Sequence, residues 1–318
     1  MGLTRADLIG EMSDEEKASR QYWIDRTSSN DVWANKIFKK IGILITGHQA
    51  NRPYMKACIE SHAKLGYWIT LAYDNYVNPE WPEINHNAFM PPKDVLDKID
   101  MFIMPHHQVW GGCLYPWFWL LKFGSDAMQQ FEYIYCTNSD FILEKPENFE
   151  QLFSLLGDAD IMTSGPDYPD SPAANTAGFI VKSSALRQIV QHFQDHFIPW
   201  DVYEKYTQQI GNTEGRFGSA IKDLGLKKAD VVPPLDADGR GDDMFRIHPS
   251  KRKQTGTWYD LVGFRHIHSE HNYAYRYKGI PPEPQYFDGR FMGDEYRQIC
   301  AYWETKDMEI LKNWWAKE

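Results

Sequence analysis

The pattern of apolar and polar positions becomes regular only after residue 40, where short apolar runs alternate with stretches of helical spacing. Ile41–Thr46 (IGILIT) is apolar at almost every position. That is how a strand covered on both faces reads, with Gly47–Asn51 as the loop after it. Pro53–Leu65 has helical spacing, a proline in its first turn and Gly66 just past its end. Tyr67–Tyr73 predicts a second strand ending in Asp74-Asn75. This βαβ unit brings two polar strand ends to one sheet edge. Val95–Ile99 predicts a short helix and Met101–Met104 a third strand. A helix opened by Gly111-Gly112 and Pro116 runs through Leu121 and leads to Tyr133–Cys136, another buried strand.

Beyond it the pattern predicts a helix over Phe149–Leu156, strands at Asp160–Thr163 and Thr176–Val181 (TAGFIV), and a long amphipathic helix over Ser184–Phe197. A shorter helix, Phe217–Leu224, is closed by Gly225. Ala229–Val232 is a short apolar segment, Asp236–Asp243 a Gly/Asp loop, and Leu261–His268 a last strand. Residues 1–40 read as a helical arm. Ser13 and Glu16 form a capping pair there, and Tyr22, Trp23, Trp33, Ile37 and Phe38 are its apolar anchors. The expected fold is α/β: a three-layer α/β/α sandwich on a mixed, mostly parallel sheet over residues 41–270. An extension rich in Pro, Tyr and Trp, residues 271–318, is expected to pack on it.

Composition narrows the class. The 318 residues are 42% hydrophobic and 25% charged, enough for a large core in a soluble protein. A formal charge of -10 argues against a dedicated nucleic-acid binder, which needs clustered Lys and Arg against phosphate. Cys58, Cys113, Cys136 and Cys300 form no CxxC pair and read as free thiols of a reducing compartment. With no signal-peptide pattern and no apolar run of transmembrane length, the expected location is cytoplasmic. No GxGxxG follows the first strand and no GxxxxGK[ST] occurs, which lowers dinucleotide and P-loop readings.

The densest candidate chemistry lies in Phe131–Pro146 (FEYIYCTNSDFILEKP), where the buried strand ends in Asn138-Ser139-Asp140. A carboxylate at the end of a buried strand is costly unless a cation or hydrogen-bond donors compensate it. In open α/β sheets that edge is where ligands bind. An ordinary Asx turn would leave the same string. Four further features bear on the choice: the small-residue segment Asn175-Thr176-Ala177-Gly178-Phe179, the run Asn212–Phe217 with Glu214, the cluster His266-Ile267-His268 and the basic stretch Lys251-Arg252-Lys253 with Arg265.

In this order these segments resemble nucleotide-sugar glycosyltransferases of the A-type fold, with Asn138-Ser139-Asp140 as an NxD variant of the DxD motif. The resemblance covers roughly residues 41–270. It implies that Thr46, Gly47, His48, Asp74 and Asn75 hold the nucleoside of a nucleotide-sugar donor, in the first instance a UDP-sugar. It also implies that Asn138, Ser139, Asn175 and Gly178 lie against the donor, and that Lys253 and Arg265 compensate the diphosphate. Asp140 would hold Mn²⁺ or Mg²⁺ with a C-terminal histidine, His268 first and His266 second. Glu214, counted back from Gly225, falls on the catalytic base of an inverting enzyme; with Glu214 as the first acid instead, and Gly215 on the base position, the resemblance implies a retaining one. The acceptor would be a hydroxyl of a glycan or polysaccharide or, following some phage enzymes, of modified DNA. A nucleotidyltransferase and a non-catalytic nucleotide-sugar-binding protein remain open alternatives, the second because Asn138 carries no charge. His192 and His196, spaced i,i+4, read as one helix face.

Overall fold

The computed structural model describes residues 40–48, 52–74, 91, 93–103, 114–164, 174–196, 213–229, 257–267, 293–307 and 309–310. The expected N-terminal arm, the Asp236–Asp243 loop and most of the C-terminal extension lie outside them.

A six-stranded sheet forms the middle layer. Its strands are β1 (Ile41–His48), β2 (Trp68–Asp74), β3 (Met101–Ile103), β4 (Tyr133–Asn138), β6 (Ile161–Thr163) and β7 (Gly178–Lys182), in the order β3-β2-β1-β4-β7-β6. β1 pairs parallel with β2 and β4, and β2 with β3; β7 runs antiparallel to both neighbours. The sheet is mixed and mostly parallel, as the apolar runs imply.

Strand alternation sends side chains to two cores. Ile43, Ile45, Ile69, Leu71, Tyr73 and Tyr135 face one cluster. Over it pack α1 (Arg52–Ala63), α2 (Lys93–Leu96), α4 (Gln151–Leu156) and α7 (Thr257–Val262). Leu44, Trp68, Ala72, Ile134 and Cys136 face the other, with α3 (Leu114–Ala127), α5 (Ser183–His196) and α6 (Thr213–Asp223). The helices supply what each face requires. α5 buries Ala185, Leu186, Ile189, Val190 and Phe193 at spacings of three and four, and α6 buries Phe217, Ala220 and Ile221. Each fully buried Phe or Ile contributes about 1.5–3 kcal/mol relative to exposure. This is a three-layer sandwich.

Several boundaries differ from those the pattern predicts. β1 continues through Gly47 and His48, because each finds a β2 partner, Tyr73 and Asp74. α3 runs on to Ala127, and β7 begins at Gly178 instead of Thr176. α6 begins at Thr213, so its polar first turn belongs to the helix although no apolar periodicity marks it. From the segment at 229–232 only Ala229 is described, next to a single parallel bridge between Lys228 and Ile161. The largest change is at Leu261–His268, which is not one strand. Helix α7 ends at Val262, Gly263 turns at φ +61°, and only β8 (Phe264–His266) is extended. β8 pairs with β5 (Phe141–Leu143) in a separate two-stranded antiparallel sheet. A positive φ suits glycine best, and at Gly263 a Cβ would also lie 2.7 Å from the Cβ of Glu144. The final described helix is α8 (Gly293–Thr305). Among the described residues no helix is long and apolar enough to cross a membrane.

Candidate functional site

The strand order fixes where a ligand would sit. The chain moves outward from β1 to β2 and β3 with α1 and α2 on one face. It then returns through α3 on the other face to β4, on the far side of β1. The C-terminal ends of β1 and β4 lie side by side, at the edge where open α/β sheets bind ligands, and α1 and β5, which follow them, pack on the same face. Thr46 and Asn138 are register partners at that point.

The turn that follows β4 is held on every side. The Ser139 N–H donates to Thr46 O at 2.8 Å, the Asn138 N–H to Ala177 O at 3.0 Å, and the Ile267 N–H to Asp140 O at 3.0 Å. β1, the segment before β7 and the residue after β8 thus meet on three consecutive residues. Side chains extend the cluster. The Thr46 hydroxyl donates to the Asn138 Oδ1 at 2.9 Å, which leaves the amide nitrogen of Asn138 as its donating end. Ser139 is fully buried, and its Oγ has no hydrogen-bond partner among the described residues. That oxygen lies 2.7 Å from where a Cβ on Gly47 would stand, so the glycine makes room for it. An unpaired buried hydroxyl costs about 1–3 kcal/mol, a cost that a polar ligand group would offset.

Asp140 is 4% exposed, and its Oδ2 lies 2.9 Å from His266 Nε2. The imidazole stacks on Phe141, its register partner, with ring centroids 4.4 Å apart. Two ligands about 2.1 Å from one cation and at right angles to each other are about 3 Å apart. The Asp140–His266 spacing fits that edge as well as it fits a hydrogen bond. Among the described residues no group of three or more His, Cys, Asp or Glu could hold a metal. A hard cation held by this pair would need its remaining positions filled by other groups, such as phosphate oxygens and water.

Glu214 opens α6. Its carbonyl accepts from the Ala174 N–H at 2.9 Å, and its Oε1 accepts from the Thr176 hydroxyl at 3.3 Å. Thr176 adjoins Ala177, whose carbonyl holds Asn138. One run of contacts therefore joins Thr46, Asn138, Asp140, His266 and Glu214.

Other expected residues stand differently. Asn175 Oδ1 accepts from the Ala177 N–H at 2.9 Å, closing a local turn. The Cβ space at Gly178 is filled by the ring of Phe264, 2.6 Å away at Cζ, and by Ser164 Oγ at 3.1 Å. Close protein packing thus requires a glycine there without any ligand. Arg265 alternates to the opposite face of β8 from His266 and pairs with Glu144. His48 and Asp74 adjoin in register at the edge, but their side chains, and all of Asn75, Lys253 and His268, lie outside the described residues. β8 itself ends at His266. His192 and His196 are stacked at 4.2 Å on α5, near Asp223 and away from this edge.

Sequence reading missed the underside of the turn. On α1, Tyr54, Cys58, Ser61 and His62 are all buried, a polar stripe at helical spacing on a core-facing side. Burial, and secondarily the charge of Asp140, raises the pKa of the Tyr54 phenol and of the Cys58 thiol. His62 is pushed down to about 4 by burial. The visible signal was polar residues at i, i+4, i+7 and i+8 on an otherwise apolar face.

No protein-family model matches the chain, and no curated protein does. Among the solved structures that resemble it are three at 10–12% identity. One is a provisionally assigned nucleotide-diphospho-sugar transferase from Desulfovibrio desulfuricans (12% identity, 61% of this chain and 80% of that one, TM-score 0.35). The second is the bifunctional IspDF of Campylobacter jejuni (11%, 69% and 55%, TM-score 0.34). The third is the 4-diphosphocytidyl-2C-methyl-D-erythritol synthase of Anaerococcus prevotii (10%, 70% and 95%, TM-score 0.38).

Proposed function

We propose that the protein is a glycosyltransferase that moves a sugar from a nucleotide-sugar donor, a UDP-sugar in the first instance, to an acceptor hydroxyl of a glycan or polysaccharide. The observation that carries this reading is the single run of contacts that gathers Thr46, Asn138, Asp140, His266 and Glu214 at the switch point of the sheet. The donating end of Asn138 and the buried Ser139 hydroxyl suit ribose or phosphate oxygens. Asp140 and His266 would hold Mn²⁺ or Mg²⁺, which when bound supplies positive charge to the diphosphate. Glu214 takes the proton of the acceptor hydroxyl. That oxygen bonds to the anomeric carbon with inversion, while the bond from this carbon to the diphosphate breaks and the nucleoside diphosphate leaves. Lys253 and Arg265 are retained as candidate diphosphate contacts. Buried free thiols at Cys58 and Cys136 suit a reducing, cytosolic setting.

The test follows the products. With a panel of UDP-sugars and Mn²⁺, release of UDP is expected. With nucleoside triphosphates and sugar 1-phosphates, no pyrophosphate is expected, and its release would make the protein a nucleotidyltransferase instead. Glu214→Gln keeps the shape but not the basicity and is expected to lower turnover by about 10²–10⁴-fold, with donor affinity unchanged. Near-normal turnover with a lowered melting temperature would leave Glu214 as a helix-start residue.

A further inference from the structure

Beneath the Asp140 turn, α1 turns two side chains toward the outer edge of β5. The Cys58 thiol lies 3.6 Å from Asn138 O, to which it donates. Burial pushes the thiol pKa up, and the backbone N–H of Phe141 is close enough to act on it electrostatically and lower it. It thus bears on both ends of the segment Asn138-Ser139-Asp140-Phe141. Three residues on, Ser61 Oγ accepts from the Leu143 N–H at 3.2 Å and donates to Cys58 O at 2.8 Å. The opposite edge of β5 is occupied by β8, which brings His266. A three-residue strand has little hydrogen bonding of its own, so the N–H groups of Phe141 and Leu143 depend on the helix. Cys58 and Ser61 are 0% and 7% exposed, so both contacts are made inside the core.

We infer that Cys58 and Ser61 are positioning residues for the cation site, with the thiol and hydroxyl of α1 setting the height and direction of the Asp140 carboxylate against His266. The inference rests on the reading of Asp140 and His266 as cation ligands. It deepens that reading by naming what orients them. Groups that orient a metal ligand without touching the metal influence affinity strongly, on the order of 10-fold or more when removed.

The test compares the full chain with Cys58→Val, Cys58→Ser and Ser61→Ala. Calorimetry measures UDP binding with and without Mn²⁺, Mn²⁺ alone is titrated by its electron paramagnetic resonance signal, and melting is followed for each variant. Cys58→Val matches the thiol in bulk but neither donates nor accepts. It is expected to weaken Mn²⁺ binding by on the order of 10-fold, while UDP binding without metal is unchanged. Cys58→Ser, which keeps a donor and an acceptor, is expected to recover most of that loss, and Ser61→Ala to fall between. Melting points that drop while Mn²⁺ affinity stays at the wild-type value in all three variants would overturn the inference and make both residues ordinary packing. A wild-type chain that binds neither Mn²⁺ nor UDP would fail the functional reading itself, and the inference with it.

Discussion

His62 offers a quantitative test of the packing under the site. The side chain is fully buried on α1. Nδ1 lies 2.8 Å from Cys58 O, and a carbonyl only accepts, so Nδ1 carries the proton. Nε2 is then the acceptor for the Tyr135 hydroxyl at 3.2 Å. A second proton would place a charge in this core, and burial lowers the imidazole from 6.5 to about 4. Below pH 6.5 the unfolded chain takes up a proton that the folded chain refuses until about pH 4. Stability is therefore complete above that window and is lost as pH falls through it. The full loss is about 3 kcal/mol at 1.36 kcal/mol per unit, and about 2 kcal/mol of it falls between pH 7 and pH 5.

That interval is the useful one, because carboxylates such as Asp158 and Asp160, which ion pairs and hydrogen bonds hold low, titrate below it. His192 is also lowered by burial and by His196, so the raw slope belongs to more than one residue. His62→Asn isolates the term: it keeps a donor toward Cys58 O and does not titrate. Urea unfolding at pH 7, 6 and 5 is expected to show wild type losing about 2 kcal/mol more than the variant across the interval. The native-state imidazole shift of His62, followed by NMR, is expected to stay constant down to pH 5. Equal slopes in the two proteins, or an imidazole that titrates near 6.5, would refute the buried neutral tautomer.

Two further outcomes follow from the edge geometry. Gly178→Ala is expected to cost about 1–3 kcal/mol in urea unfolding, because the new methyl meets the rigid Phe264 ring; Phe264→Leu in the same chain is expected to relieve part of it, and strictly additive effects would refute the contact. Asp140→Asn and His266→Ala are each expected to abolish or strongly reduce any Mn²⁺-dependent gain in UDP affinity, and unchanged metal dependence in both, measured by calorimetry, would remove them as cation ligands.

Much of the fold is legible because β1, β2 and β4 are buried on both faces and read as unbroken apolar runs. The boundary errors share a cause: pairing decides where a strand or helix ends, and pairing is non-local. Gly47 and His48 are extended because β2 continues beside them. Thr213 and Glu214 are helical although nothing apolar marks that turn. At Leu261–His268 the alternating string concealed a helix end, a glycine at positive φ and a strand of another sheet. Gly263 was the local sign of that break. Chain order also brought Asp140 and His266 into contact and joined Glu214 to the same turn through Thr176, while Gly178 packs on Phe264 and Arg265 pairs with Glu144, neighbours that the string does not show. A residue type states what a position can do, and its neighbours select among the possibilities.

The same logic explains why the polar stripe of Cys58, Ser61 and His62, visible in the string, could not be tied to the site. Each is a small or aromatic group that a core tolerates, and each gains meaning only once β5 is known to lie along α1. A short strand carrying a buried carboxylate at its entrance cannot be fixed by its own ladder, since three residues supply too few bonds. Its geometry must be imposed from outside. Thr46 does so through Ser139, Ala177 through Asn138 and Ile267 through Asp140, and each of these is a backbone contact that survives most substitutions. The contacts from α1 are made by side chains, so they can be altered one atom at a time. Changes at these positions are therefore expected to separate ligand affinity from stability. Changes in the sheet core, where a lost contact is a lost fold, are not.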